Sequence, residues 1–153
     1  MTFTAKDKAF MEDARFLANN HSKDRSTKVG ALILGTGNEI LSAGYNGFPR
    51  GFNDDVDSRH ERPAKYAYTA HAEVNAIYNA ARSGARLFGS RMYITSLCPC
   101  NNCTIAIIQS GISKIYIESA AFDTGDARAK VWGEQWEKSK EMLDECGVEI
   151  VIG

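Results

Sequence analysis

Three of the chain's four cysteines stand within six residues, Cys98-Pro99-Cys100-Asn101-Asn102-Cys103. Cys100 and Cys103 form a C-x-x-C pair. In the first turn of a helix, side chains three apart share a face and can grip one ion. A helix N-terminus also favours thiolate, because its free N–H groups and its dipole stabilise negative charge. Pro99 suits such a start, since its missing N–H is not needed there. Cys98 is set apart from the pair by the bend at Pro99 and reads as a small buried residue near the site rather than a ligand. Zinc prefers sulfur and imidazole nitrogen, and a catalytic zinc keeps three protein ligands and leaves a fourth position to water. The third ligand must come from elsewhere in the chain, which holds three histidines. His21 and His60 lie in polar segments and read as solvated.

His71 opens the segment His-Ala-Glu, with Glu73 two residues on. A histidine near an apolar helix is more often structural than a ligand, and a first-turn glutamate often serves only the helix dipole. Together, however, H-x-E and P-C-x-x-C make a combination far more specific than either half, the signature of zinc nucleobase deaminases. The chemistry explains the pattern. Zinc lowers the pKa of its bound water, so hydroxide is available near neutral pH. Hydroxide attacks the ring carbon that bears an exocyclic amine. A proton must then pass from the water to the ring nitrogen and on to departing ammonia, and a carboxylate near the metal but not on it can carry it. His71 is therefore expected as the third ligand and Glu73 as the proton shuttle.

Elements must hold these residues. Thr4 with Asp7 three residues later forms a capping-box pattern. Phe3, Phe10, Ala14 and Leu17 then fall at helical spacing and predict a helix from about 5 to 20. Val29–Leu34 and Glu39–Tyr45 read as strands of a hairpin joined by Gly35-Thr36-Gly37-Asn38. From Asn46 to about Thr69 the chain is polar and reads as a long loop, which inside a compact domain is usually functional or mobile. The segment from His71 to Gly84 is helical, with Gly84 as C-terminal cap. Arg91–Ser96 is a strand, the residues after the cysteines form a helix ended by Gly111, and Ser113–Glu118 is another strand. Trp132, Trp136, Leu143 and Cys146 share one helix face, and Val148–Ile152 closes the chain as a strand. This alternation predicts an α/β domain: a mixed sheet covered by helices, with an antiparallel hairpin at its start.

Composition sets outer bounds. A chain of 153 residues is expected to be one domain with a core that needs no disulfides. A net charge of −1 offers no basic excess to draw it onto a nucleic acid, so no nucleic-acid partner is expected, though a small anion is not excluded. The N-terminus lacks the apolar stretch of a signal peptide, and there is no run of 18 apolar residues, so no membrane association is expected. Clustered cysteines fit a reducing compartment, and a cytoplasmic location is expected.

With these residues in view, the chain resembles the cytidine deaminase superfamily and, within it, the deoxycytidylate (dCMP) deaminases. Ser22–Ile33, Gly44–Gly51 (GYNGFPRG) and Tyr66–Ile77 carry the closer similarity, together with Pro99–Cys103 and the strand Lys114–Ser119. The similarity runs over most of residues 3–152. It implies a cytidine deaminase-like three-layer α/β/α fold with a five-stranded mixed sheet. It also implies hydrolysis of dCMP to dUMP, supplying thymidylate synthesis, with one catalytic Zn2+ per subunit in a homohexamer. Activation by dCTP with Mg2+ and inhibition by dTTP are implied at a site built on Gly44, Tyr45, Asn46 and Gly47, with Arg82 linked to regulation and subunit contact.

For substrate binding, the resemblance points to Asn46 for the sugar, Phe122 for stacking on the base, Ala72 beside the catalytic pair, and Ser22 and Arg25 for the 5′-phosphate. A guanidinium pairs well with phosphate. Plainer readings stand beside these: a turn asparagine, a core aromatic, a solvated loop, a helix-end arginine. The sequence departs from the pattern in its extra Cys98, and having no earlier cysteine it is expected to hold a single zinc. Another nucleoside, nucleobase or tRNA deaminase on this scaffold remains open. So does a non-catalytic zinc-stabilised module in which Cys98 completes a closed site.

Overall fold

The structure is a computed structural model and describes residues 2–122 and 128–153. Its first helix, α1 (Ala5–His21), begins with the expected capping box: the Thr4 hydroxyl accepts the Asp7 N–H at 3.2 Å, and the Asp7 carboxylate accepts the Thr4 N–H at 2.8 Å. The buried stripe is Met11, Ala14 and Ala18, with Phe10 and Leu17 only half-buried at its margins. Small residues lie at the crossing because α1 runs close over the first strand. A Cβ added at Gly30 would stand 2.1 Å from the Ala14 carbonyl oxygen and 3.3 Å from the Ala18 Cβ.

Five strands form one sheet in the order β2-β1-β3-β4-β5. β1 (Gly30–Leu34) and β2 (Ile40–Tyr45) are the hairpin, and β1 also pairs antiparallel with β3 (Arg91–Ile94). β4 (Lys114–Ile117) and β5 (Glu149–Ile152) continue the sheet in parallel. The parallel strands require crossovers, supplied by α4 (Asn101–Gln109) and α5 (Arg128–Glu145). Alternate residues of a strand face opposite sides, and the two sides carry separate cores. Ala31, Ile33, Met92, Ile94, Ile115 and Ile117 pack with α3 (Ala72–Ser83), Ile107 of α4 and Leu143 of α5. Leu32, Leu34, Tyr93, Tyr116 and Val151 pack with Met11 and Ala14 of α1. The result is the expected three layers.

Two expectations change. The segment from 46 to 69 is not a bare loop: it holds a 3-10 turn at Asp57–His60 and a short helix, α2 (Ala64–Tyr68). Phe48 gathers Phe52, His60 and Tyr68, with ring centroids at 5.8, 4.8 and 6.1 Å, and the Arg59 guanidinium lies 3.9 Å from the Phe52 centroid. These aromatics follow no helical or strand period, so only folding back of the segment reveals their cluster. Cys146, expected on the apolar face of α5, is exposed. It lies one residue past the end of α5, where the helical register that places Leu143 inside no longer holds.

Candidate active site

β2 and α3 are stitched together edge to face, and this contact aims the start of α3. Gly44 is a glycine because α3 lies against it: a Cβ there would meet Ala76 N at 2.4 Å and the Ala72 carbonyl oxygen at 2.6 Å. The Ser42 hydroxyl donates to the Ala76 carbonyl at 2.6 Å, and the Asn79 and Asn75 amides donate to the carbonyls of Ala43 and Tyr45 at 2.7 and 2.8 Å. Gly47 and Ala70 exchange backbone hydrogen bonds of 3.1 and 2.8 Å. The chain is thereby pinned directly before His71, which caps α3 in an extended conformation.

Cys100 occupies the same place on α4. It is the extended N-cap, with Pro99 outside the helix, and its sulfur accepts the Cys103 N–H at 3.5 Å. The Ser139 hydroxyl of α5, fully buried, lies 3.0 Å from Asn101 Oδ1 and 3.3 Å from the Pro99 carbonyl oxygen and holds this turn in place. The two helix starts therefore converge. His71 Nδ1 lies 3.5 Å from Cys100 Sγ and 3.4 Å from Cys103 Sγ. One ligand atom from each of these three residues lies within 4.8 Å of the others, the single such group among the described residues. One imidazole and two thiols in this compass fit zinc, a borderline-soft ion that takes nitrogen and sulfur donors.

The electrostatics suit a cation. Hydrogen bonds from Cys103 and then His71 pull the Cys100 thiol far below its ordinary pKa, while the bond to Cys100 and burial push Cys103 up. The pair thus sheds a first proton readily and holds the second, which a bound divalent cation would displace. The bond to Cys100 also raises His71. Glu73 is buried in the first turn of α3, and burial pushes its carboxyl up to about 7. Cys98 is buried in the core, its thiol pushed up to about 11 by burial, and it is not one of the three clustered donors.

Beside the donors is a cavity of about 360 Å³ lined by His71, Ala72, Glu73, Cys98, Asn46 and other residues. Asn46 is buried at the end of β2 with its amide largely engaged. Its Oδ1 accepts the Val29 N–H and the Ser22 hydroxyl, both at 2.9 Å, and its Nδ2 donates to the Thr27 carbonyl at 2.8 Å. Its φ is not positive, so it is no left-handed turn residue. Ser22 and Arg25 do not line the cavity: Ser22 is buried against Asn46, and Arg25 pairs with Asp57 at 3.0 Å. Phe122 lies against Trp136, centroids 5.2 Å apart, and is likewise absent from the wall. Tyr45 is partly exposed and stacks on His21 at 5.6 Å, and Arg82 is exposed in the last turn of α3.

Sequence reasoning passed over Asp24, Thr27, Arg62, Lys65, Tyr66 and Trp132, which do line the cavity. Asp24 and Thr27 lie inside the similar block Ser22–Ile33, Tyr66 opens the block Tyr66–Ile77 and Lys65 directly precedes it, and that placement is the signal the sequence offers for them.

Among the described residues no helix is long and apolar enough to cross a membrane. The family model for the cytidine and deoxycytidylate deaminase zinc-binding region matches residues 4–119. A probable deoxycytidylate deaminase of Drosophila melanogaster is 42% identical over 144 residues, covering 87% of this chain and 65% of that protein. The deoxycytidylate deaminase of Homo sapiens is 39% identical over 116 residues, covering 72% of this chain and 64% of the other. The chain thus spans just under two thirds of these animal relatives. An uncharacterised deaminase of Aliivibrio fischeri is 43% identical over 134 residues, 88% of this chain and 84% of that one. The dCMP deaminase of cyanophage S-TIM5, solved with dCMP and dUMP, superposes over the whole of both chains with a TM-score of 0.70 at 24% identity, which shows a shared fold. With the family model spanning both helix starts and their converging donors, the chain belongs to the cytidine and deoxycytidylate deaminase zinc-binding family.

Proposed function

We propose that the chain is a zinc-dependent deaminase that converts dCMP and water to dUMP and ammonia. The carrying observation is the meeting of His71, Cys100 and Cys103, with His71 and buried Glu73 in the wall of a cavity. The substrate is supported by the names of the relatives. His71, Cys100 and Cys103 would hold the zinc, which when bound supplies a water acidic enough to be deprotonated near neutral pH. Glu73 takes the proton the water sheds and delivers it to N3 of the pyrimidine as the C4–O bond forms, and then carries the proton of the added hydroxyl to the departing amine as the C4–N bond breaks. A carboxyl raised to about 7 can both accept and release a proton at neutral pH. The first-turn amides of α3 lack intrahelical acceptors, so the Ala72 N–H can meet the pyrimidine carbonyl. Asn46 has one amide N–H left for the sugar. Of the cations, Arg62 lines the cavity and is better placed for the 5′-phosphate than Arg25. Phe122, to which the resemblance assigns stacking on the base, packs against Trp136.

The test is ammonia release from dCMP, dCTP, CMP and deoxycytidine, each with and without dTTP. Preference for dCMP is expected, and equal handling of deoxycytidine would sink the nucleotide assignment. The wider proposal is a single domain over residues 1–153, acting in the cytoplasm as a homohexamer to supply thymidylate synthesis. It includes activation by dCTP with Mg2+ and inhibition by dTTP through Gly44, Tyr45, Asn46, Gly47 and Arg82. It is supported by the similarity of the GYNG segment to the family and by the exposure of Tyr45 and Arg82. It predicts that dCTP and dTTP shift the dCMP saturation curve in opposite directions, and Michaelian kinetics insensitive to both would remove it.

A further inference from the structure

Two cavity residues, Asp24 and Lys65, have no part in the chemistry so far. Their side chains are only 8% and 11% exposed, and they bridge two segments, Lys65 from α2 and Asp24 from the stretch between α1 and β1. The Lys65 ammonium lies 3.1 Å from Asp24 Oδ1 and donates to Ser26 Oγ at 2.8 Å. The same Asp24 Oδ1 accepts the Ser26 and Thr27 N–H groups, each at 2.9 Å, and the Ser26 hydroxyl at 3.2 Å. Every hydrogen bond to this carboxylate among the described residues falls on one oxygen, and Oδ2 has none. Nor is Oδ2 sealed in protein: the fully enclosed side-chain polar atom without a partner among the described residues is Thr104 Oγ1. Asp24 is also one of the residues that line the cavity, so an acceptor left without a donor stands at its wall.

An ionised carboxylate can only accept, and a buried one left without a donor costs stability. Asp24 stays ionised. Burial pushes its pKa up, but the amides of Thr27 and Ser26 and the Lys65 ammonium pull it below the ordinary carboxylate value. Lys65 has committed two of its three N–H donors. The pair therefore offers the cavity an acceptor and a donor side by side. A hydroxyl, which donates and accepts at once, satisfies both. A phosphate would meet Asp24 as a like charge.

We infer that Asp24 and Lys65 together bind the sugar hydroxyl of the substrate, an assignment that rests on the nucleotide reading above. In dCMP the one sugar hydroxyl is the 3′-OH. It donates to Asp24 Oδ2 and accepts from Lys65 Nζ. Thr27 ties this pair to Asn46, because its N–H is held by Asp24 and its carbonyl by the Asn46 amide. The sugar-facing wall is thus one connected unit.

The test compares dCMP with 2′,3′-dideoxycytidine monophosphate in the wild-type zinc enzyme and in Asp24→Asn. Wild type is expected to lose roughly ten- to a hundredfold in kcat/KM on the dideoxy substrate, the range for a hydrogen bond to a charged group. Asp24→Asn should lose a similar factor on dCMP, mostly through KM, with zinc content unchanged and little further loss on the dideoxy substrate. Equal turnover of the two substrates by wild type would overturn the inference while leaving dCMP deamination intact. So would an Asp24→Asn enzyme that still discriminates between them. No ammonia from either substrate would instead remove the nucleotide reading and this assignment with it. If Asp24→Asn does not fold, the comparison in wild type decides.

Discussion

Glu73 and Cys98 are equally buried, each 4% exposed, and burial raises the pKa of both. Their consequences differ because a carboxyl starts well below neutral pH and a thiol above it. A carboxyl lifted to about 7 is poised to exchange protons at neutral pH, whereas a thiol at about 11 is an inert apolar group there. Glu73→Gln keeps the volume and loses the proton transfer. It is expected to retain zinc while turnover falls by roughly 10²- to 10⁴-fold or more, and near-normal rates with dCMP would refute the shuttle. Metal analysis of purified variants separates the cysteines: Cys100→Ala and Cys103→Ala should lose zinc, and Cys98→Ala should keep it. Zinc lost with Cys98 would mean a fourth protein ligand and would count against catalysis.

At the scale of elements, the contact between β2 and α3 aims His71, Ala72 and Glu73. Gly44→Ala would thrust a methyl group to 2.6 Å from the Ala72 carbonyl oxygen, and backbone cannot yield as a flexible side chain does. Overpacking of this kind costs about 1–3 kcal/mol. The expected result is a lower urea midpoint together with lost activity, since α3 must shift at the end that carries the site. A fall in stability with full activity would show that the helix start is aimed by something else, such as the Gly47–Ala70 bridge. This close approach also gives Gly44 a packing role that needs no regulatory ligand.

Across the whole molecule, two ties join parts distant in sequence. The donors link the starts of α3 and α4, so a bound ion stabilises the folded state that presents them together. Chelation should lower the melting temperature by several degrees and excess zinc should restore it; an unchanged melting temperature would argue against occupancy of this site. The second tie is the Asp24–Lys65 pair. Because the folded pKa of Asp24 is lowered, its contribution is fully present above the unfolded carboxylate value and is lost as pH falls through the lower folded one. Stability of wild type should therefore drop in acid below about pH 4 more steeply than that of Asp24→Asn. Parallel acid limbs in urea titrations would show that the pair does not supply this dependence.

The clustering of His71, Cys100 and Cys103, the place of Glu73 beside His71 at a helix start and the strand and helix order were legible in sequence because each depends on local rules: residue types at short spacing, capping, and apolar periodicity. His71 and Glu73 lie two apart, and Cys100 and Cys103 three apart, so their grouping needed only the assumption of two helix starts. The sugar and phosphate contacts were less legible. Arg25 and Ser22 stand near the first strand in sequence, yet folding turns one toward Asp57 and the other into Asn46. Lys65 meets Asp24 across 41 positions, and the aromatic cluster around Phe48 orders a stretch that reads as plain loop. The sequence alone determined which residue types stand at the spacing the proposed chemistry needs. Tertiary structure decided which side chains surround the cavity, because burial and pairing between distant segments leave no period in the chain.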